Sequence, residues 1–323
     1  MMRTYVLRRL LQLVPLLLAL TALTFLLLRL APGDYLSSVA SNPDVSDATL
    51  DAMRHRFGLD RSWLVQLGLY LRNVLFHLDF GESFSLHRPV FAVLRGALLN
   101  TLLLALAGAL VTWGLAIPLG AWAAARHDTP VDRALSFVAF LGLSVPEVLS
   151  GLLLLMLAAR TGWFPAGGMR SIDWDLLGPG AKALDLLRHL VLPALVVGLV
   201  PLASRMRQMR ASLLDVLGQE YVTTARAMGL PERSVILRHG MRNALNPLIT
   251  LFGYTLGSLL SGSLVAEVIF AWPGLGRVTY EALLSRDLYL VVGSVLMAAV
   301  VLVLGNLVAD LLLAAADPRI RDG

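Results

Sequence analysis

Long apolar stretches separated by arginine-bearing polar segments set the pattern of this chain. Crossing the hydrocarbon of a bilayer takes about 20 apolar residues in a helix. Residues 10–30, 96–125, 134–159, 244–269 and 288–316 meet that length, and residues 190–204 fall short unless their helix continues through Met206. The pattern therefore predicts six spans. The first follows Arg3, Arg8 and Arg9, holds Arg29 near its end, and lacks a small-x-small cleavage site. It is read as a retained helix and not as a signal peptide.

Two of the intervening segments are long. In residues 32–95, Ser46 can cap a helix through Arg56, with Gly58 just past its end. A second helical pattern over residues 63–78 places Leu64, Leu67, Leu71, Val74, Leu75 and Leu78 on one stripe. Some sixty residues predict a small cap on the bundle, not an independent domain. In residues 205–243, a helix continues over 206–217, where its arginines can meet lipid phosphates or a partner. A short helix over 220–228 (EYVTTARAM) is stopped by Gly229, and Pro231 suits the first turn of another helix over 231–238. Two short helices at a turn make a docking surface or an interfacial amphipathic hairpin. Ala225, Ala227 and Gly229 allow close approach, and Glu220, Arg226 and Arg233 offer charges.

Composition agrees with the pattern. The 323 residues are 57% hydrophobic and 15% charged, where soluble domains carry about a quarter charged residues. Mean hydropathy is +0.73. A soluble enzyme, a disordered chain and a disulfide-stapled domain are disfavoured, and with no cysteine there is no thiolate chemistry. The net charge of +5 is sorted by side. With the N-terminus inside, residues 1–9, 126–133, 205–243 and 317–323 hold fourteen arginines against seven acids, a net of +7. The opposite segments balance, with twelve basic against twelve acidic residues. Cationic segments near span ends stay cytoplasmic, so the basicity reflects topology and implies no nucleic acid.

The inner segment GQEYVTTARAMGLPERSVILRHGMRNALNP resembles the coupling loop of ATP-binding-cassette (ABC) importer permeases, in the form carried by the dipeptide, oligopeptide and nickel branch. YVLRRLLQLVPLLL, FGLDRSWLVQLGLYLRN, FGESFSLHRPV, AEVIFAWPGLGRVTYEALLSRDLYLV and the terminal DPRI are similar to the same branch, in order along nearly the whole chain. Met228 departs from the branch, which commonly has Lys before the Gly, and Thr223, Thr224 and Ala225 fill a slot that is Glu-Ala-Ala across the wider superfamily.

The resemblance implies an all-α transmembrane fold, a six-helix type I ABC importer permease with a small extracytoplasmic segment after the first helix. Its parts are the N-terminus and first span (1–31), the cap (32–95), the permease core (96–316) with its coupling loop (205–243), and a cytoplasmic tail (317–323). The implied function is import of di- or oligopeptides delivered by an extracytoplasmic binding protein, with nickel or another small solute as the alternative cargo. The implied partners are a second homologous permease and two cytoplasmic ATPases, in the inner membrane of a bacterium or archaeon, with both termini cytoplasmic. No cofactor, metal or catalytic residue is expected on this chain; ATP and Mg would sit on the ATPases. The only lysine, Lys182, stands in GPGAKA, which lacks a Walker A ending. The resemblance assigns ATPase coupling to Glu220, Tyr221, Thr224, Ala225, Arg226, Ala227, Gly229, Leu230 and Pro231.

Other positions are read from the residues. Glu147, after Pro146 in the third span, either lines the pathway with Ser144 and Pro146 or makes a structural hydrogen bond at a kink. Asp310, one turn past Asn306, is expected to contact the inner arginines, and Glu267 to reach water at the outer end of the fifth span. Gly253, Gly257 and Ser261 form a small-residue stripe for helix packing or a pore-lining face. The six histidines show no HxH or HExxH spacing, and no GxSxG elbow occurs, which gives an intramembrane hydrolase no support. An ion-coupled secondary transporter calls for broken helices, inverted repeats and paired intramembrane charges, and those signals are scarce.

Overall fold

The computed structural model describes residues 2–316 apart from 34, 41–44, 57, 250, 253, 254, 256, 257 and 259–262; the side chains of residues 2–10, 12, 38, 39, 56, 143 and 308–316 also fall outside the description. Regular structure among the described residues is helical, with one isolated antiparallel bridge, Glu82 to Pro89. The elements begin with α1 (Met2–Leu30), α2 (Tyr35–Val39), α3 (Asp47–Arg56), α4 (Trp63–His77) and α5 (Val90–Ala125). They continue with α6 (Pro130–Ser144), α7 (Glu147–Thr161), α8 (Pro179–Leu217) and α9 (Glu220–Ala227). Shorter helical pieces follow, then Leu264–Ile269, Leu275–Leu284 and the long Leu288–Ala316.

Among the described residues, four helices are long and apolar enough to cross a membrane: Leu13–Ser37, Val90–Ala125, Pro179–Leu217 and Leu288–Leu307. The expected third span is not one straight helix. It is the pair Pro130–Gly142 and Glu147–Thr161, bent by 97°. The break has a local cause: Pro146 has no N–H to donate, and its ring drives Val145 out of the helical region to φ −87°, ψ 120°. The fourth span is longer than its apolar run, because α8 continues through Met206 to Leu217. Its 39 residues extend to about 58 Å, well past the hydrocarbon thickness. The expected fifth span crosses residues outside the description, and so does the Gly253, Gly257 and Ser261 stripe. Asp310 lies in the last long helix with its side chain outside the described residues.

The chain divides into two compact units, one of Met1–Thr101 with Pro273–Val303, the other of Leu102–Trp272 with Leu304–Gly323. In the first, Ser46 Oγ accepts the Thr49 N–H at 3.3 Å to start α3, and α4 ends where Leu78 turns left-handed at φ 53°. The predicted α4 stripe is only partly the buried one. Gln66 and Tyr70 are buried, with Leu67 and Val74 packed beside Phe25, Val292 and Leu296, while Leu64, Leu75 and Leu78 are exposed. Aromatic packing decides this rotation: Tyr70 meets Phe25 at 5.5 Å and stacks on Tyr289 at 5.8 Å. A second cluster gathers Val90, Leu94 and Ala97 against Leu275, Ala282 and Leu290.

The core of the second unit lies where α5 meets α8. Thr112 Oγ1 donates to the Gly198 carbonyl at 2.8 Å, and a Cβ at Gly198 would stand 2.7 Å from the Gly108 carbonyl oxygen. Backbones that close need small residues at the contact. Glu267 does not reach water. It is fully buried, the Ser263 hydroxyl donates to its Oε1 at 2.8 Å, and the chain folds back over it so that the Trp272 N–H bonds its carbonyl.

Candidate functional site

The site builds outward from the end of α8. Gly218 ends that helix, and the eight residues of α9 follow at once. One face of α9 is apolar: Val222 and Ala225 are buried with Val235, against Val216 and Leu217 at the foot of α8. The opposite face presents Glu220, Tyr221, Thr224 and Ala227 to the outside. Ala225 therefore faces its own chain and is not part of the approachable surface.

Gly229 makes the turn. Its φ of +77° lies in the left-handed region, and its N–H bonds the Arg226 carbonyl at 2.9 Å. Met228, Gly229, Leu230 and Pro231 are all exposed, with Met228 at 69%. Across the turn, Arg226 donates to Glu232 through Nη2 at 2.8 Å and Nε at 3.2 Å, the planar fork matching the carboxylate. That guanidinium holds the Glu232 carboxyl below its ordinary value. Arg226 is thus a brace and not a spare charge, which leaves Glu220 and Arg233 as the open charges of the element.

Beyond Pro231 the predicted second helix does not stop at Arg238. One turn, Glu232–Ser234, passes into a π-helical segment, Val235–Gly240, and then into Met241–Ala244. The wider turns carry Asn243 back toward α9, where its Nδ2 donates to the Tyr221 hydroxyl at 2.7 Å. The short helix, its turn and the start of the next segment are thereby one braced unit. The α8 arginines expected to face lipid or a partner are also engaged. Arg205 Nε donates to Thr255 Oγ1 at 3.0 Å, Arg207 lies 5.2 Å from the Phe140 ring, and Arg210 forks onto Asp132 at 2.6 and 2.7 Å. Sequence reasoning passed over Asp132; its position two residues past Pro130, at the start of α6, was the available signal.

Ser144, Pro146 and Glu147 sit together at the bend between α6 and α7. Ser144 Oγ donates to the Phe140 carbonyl at 3.0 Å, whereas Glu147 Oε1 is buried without a hydrogen-bond partner among the described residues. A cavity of about 380 Å³ opens beside the bend, lined by Val145, Ser150, Leu154 and Leu202 among other, mostly apolar, residues. Among the described residues, one group could approach a metal, His127, Asp128 and Asp132, with ligand atoms within 4.8 Å. Both Asp132 oxygens already accept from Arg210, so the group serves as an ion-pair anchor.

Comparison with known proteins shows the family. The family described as "Binding-protein-dependent transport system inner membrane component" matches residues 116–322, and its N-terminal counterpart, "Binding-prot-dependent transport system membrane comp, N-term", matches residues 1–105. The chain is 38% identical over 322 residues to the oligopeptide transport system permease protein AppB of Bacillus subtilis (strain 168), covering 99% of this chain and 100% of the relative. It is 34% identical over 338 residues to the dipeptide transport system permease protein DppB of Escherichia coli (strain K12), covering 99% of each. Among solved structures, a chain of the MetNI methionine ABC transporter in inward facing conformations aligns at a TM-score of 0.56 and 17% identity, over 70% of this chain and 97% of that one, which speaks for the fold. With both parts of its sequence matched and full-length relatives above a third identical, the chain belongs to the inner-membrane components of binding-protein-dependent transport systems, permeases of the ABC importer class.

Proposed function

We propose that this chain is one of two permease subunits of an ATP-driven importer of di- and oligopeptides, which an extracytoplasmic binding protein delivers. The observation that carries the reading is the braced unit around α9. A short helix fixed by Val222 and Ala225 on one face, by Asn243 at Tyr221 and by Glu232 at Arg226 moves as a body. Its outer face offers Glu220, Tyr221, Met228 and Leu230 to a cytoplasmic ATPase. ATP and Mg belong to that partner. Closure of two ATPases pushes this lever, α8 and the following segment transmit the push, and the pathway switches its open side. The peptide cargo is supported by the names of the full-length relatives.

The arginine distribution supports cytoplasmic termini and coupling loop, with residues 32–95 on the opposite side as a cap. Glu147, with its buried unpartnered oxygen at the bend of the third span, is the residue we assign to the pathway, where it meets the cargo's amino end.

Reconstitution tests the reading. The chain is purified with its partner permease and ATPases into proteoliposomes, and uptake of a labelled dipeptide is followed with binding protein present. Uptake should require ATP and both ATPases. Gly229→Asp should leave the complex assembled while uncoupling cargo-stimulated hydrolysis from transport. Uptake without any ATPase, or unchanged coupling in Gly229→Asp, overturns the assignment.

A further inference from the structure

A cavity of about 310 Å³ opens in the segment after the first span, between α3, the second half of α4 and the start of helix Leu288–Ala316. Its walls carry both signs of charge. Arg61 and Arg72 line it, and neither guanidinium forms an ion pair among the described residues. Asp79 lines it too, fixed just past the end of α4: its N–H bonds the Asn73 carbonyl at 3.2 Å and its Oδ1 accepts the Gly81 N–H at 2.9 Å.

The lining is also aromatic, through Tyr70 and Tyr289. Tyr289 stacks on Tyr70 with the rings 8° from parallel. Tyr70 is only 4% exposed, and its hydroxyl is buried with no hydrogen-bond partner among the described residues. Buried hydroxyls are nearly always partnered, and one left open beside a charged cavity points to a ligand that completes it. A guanidinium pair matches a carboxylate in geometry, and the volume lies at the small end of ligand pockets.

We propose that this cavity binds a dipeptide-sized zwitterion, with its free carboxylate on Arg61 and Arg72 and its ammonium on Asp79. The stacked tyrosines form the wall beside the ligand's backbone, where the Tyr70 hydroxyl donates to its peptide carbonyl. None of the cavity's lining residues belongs to the bend at Glu147 or to the proposed coupling element. The site deepens the peptide reading by giving the chain its own recognition of peptide termini.

The probe is Ala-Ala, titrated by calorimetry into the assembled complex in nanodiscs of phosphatidylcholine, without binding protein. Saturable binding is expected. Arg61→Gln and Arg72→Gln should each weaken it by about tenfold, with Arg72→Lys intermediate because it keeps the charge and loses the fork. Asp79→Asn should weaken Ala-Ala but not N-acetyl-Ala-Ala, and C-amidated Ala-Ala should not bind to the wild type. Thermal melting confirms that each variant is folded. Equal affinity of the wild type and the Arg61→Gln/Arg72→Gln double variant overturns the site, as does tight binding of the amide. Absent binding with intact dipeptide uptake overturns the site alone; binding without any ATP-driven uptake counts against the import reading and leaves the site standing.

Discussion

Asp287 Oδ2 accepts the Ser83 hydroxyl at 2.7 Å, joining two loops 204 residues apart in sequence. The same oxygen accepts the Ser85 N–H and hydroxyl, each at 3.0 Å, while Oδ1 accepts the Leu290 N–H at 3.2 Å and so starts the last long helix. Ser83 and Asp287 are both fully buried. Asp287→Ala strands these donors away from water and is expected to cost about 3 kcal/mol of stability. Asp287→Asn keeps an acceptor and should cost less. Melting of the purified chain in detergent should rank wild type above Asn above Ala, and coincident melting curves would remove the junction from the account.

A second buried carboxylate clamps the other unit. Asp132 accepts the Arg210 fork and the Asp128 N–H, tying the α5–α6 turn to α8. Its side chain is 4% exposed against 27% for Arg210. Removing one partner of a buried pair leaves the other uncompensated, at a cost of about 3 kcal/mol. Asp132→Ala and Arg210→Ala should therefore each be severe, and the double variant should lose much less than the sum. Strict additivity in that thermodynamic cycle would mean that the two groups do not interact.

Much of this was legible in the sequence. The stretches FGESFSLHRPV and LLSRDLYLV carry the resemblance separately, and Ser83, Ser85 and Asp287 show why they occur together. Gly229, Pro231 and the Glu220 start of the short helix followed from backbone rules alone. Tertiary choices did not follow. The α4 stripe was counted from Leu residues, but burial went to Tyr70 and Gln66, because a stacked ring and the Gln66 bond to the Arg61 carbonyl outweigh one more leucine. Glu267 was placed in water because a charge at a span end usually reaches it, and nothing local announces that Ser263 and the turn to Trp272 enclose it. The bend at Pro146 was visible only as a kink, since sequence spacing sets no angle.

The crossing of α5 and α8 gives a steric prediction. At Gly198 an added Cβ would lie 2.7 Å from the Gly108 carbonyl and 2.8 Å from Val111 Cβ, and at Gly120 it would lie 2.6 Å from the Met206 carbonyl. Backbone cannot yield as a side-chain tip can. Gly198→Ala should destabilise by about 2 kcal/mol and also disturb the Thr112 bond to the Gly198 carbonyl. Gly114, on α5 with open space around it, is the control. Gly114→Ala should leave melting unchanged or slightly raised, since Ala is the better helix former. Equal melting of the two variants would mean that the helices do not cross this closely.

The Arg226 fork on Glu232 adds a pH dependence to the turn after α9. Arg226 lowers the Glu232 pKa in the folded chain, so the ion pair contributes fully above the unfolded carboxyl value of about 4.3 and is lost as pH falls through the lower folded value. Both side chains are well exposed, at 40% and 56%, and solvent screening limits the pair to about 1 kcal/mol or less. The amides that report on it are Gly229, bonded to the Arg226 carbonyl, and Leu230, bonded to the Ala225 carbonyl. Hydrogen exchange at these two amides, corrected for intrinsic rates, should lose protection as pH falls below the ordinary carboxyl range, by up to about fivefold. In Glu232→Gln the protection should already be low at pH 7 and flat with pH. Under the proposed coupling role, the same variant should reduce cargo-stimulated ATP hydrolysis more than basal hydrolysis. Wild-type protection in Glu232→Gln at pH 7 would show that Gly229 and the packing of Val222 hold the turn unaided, and that Arg226 is free to meet the ATPase.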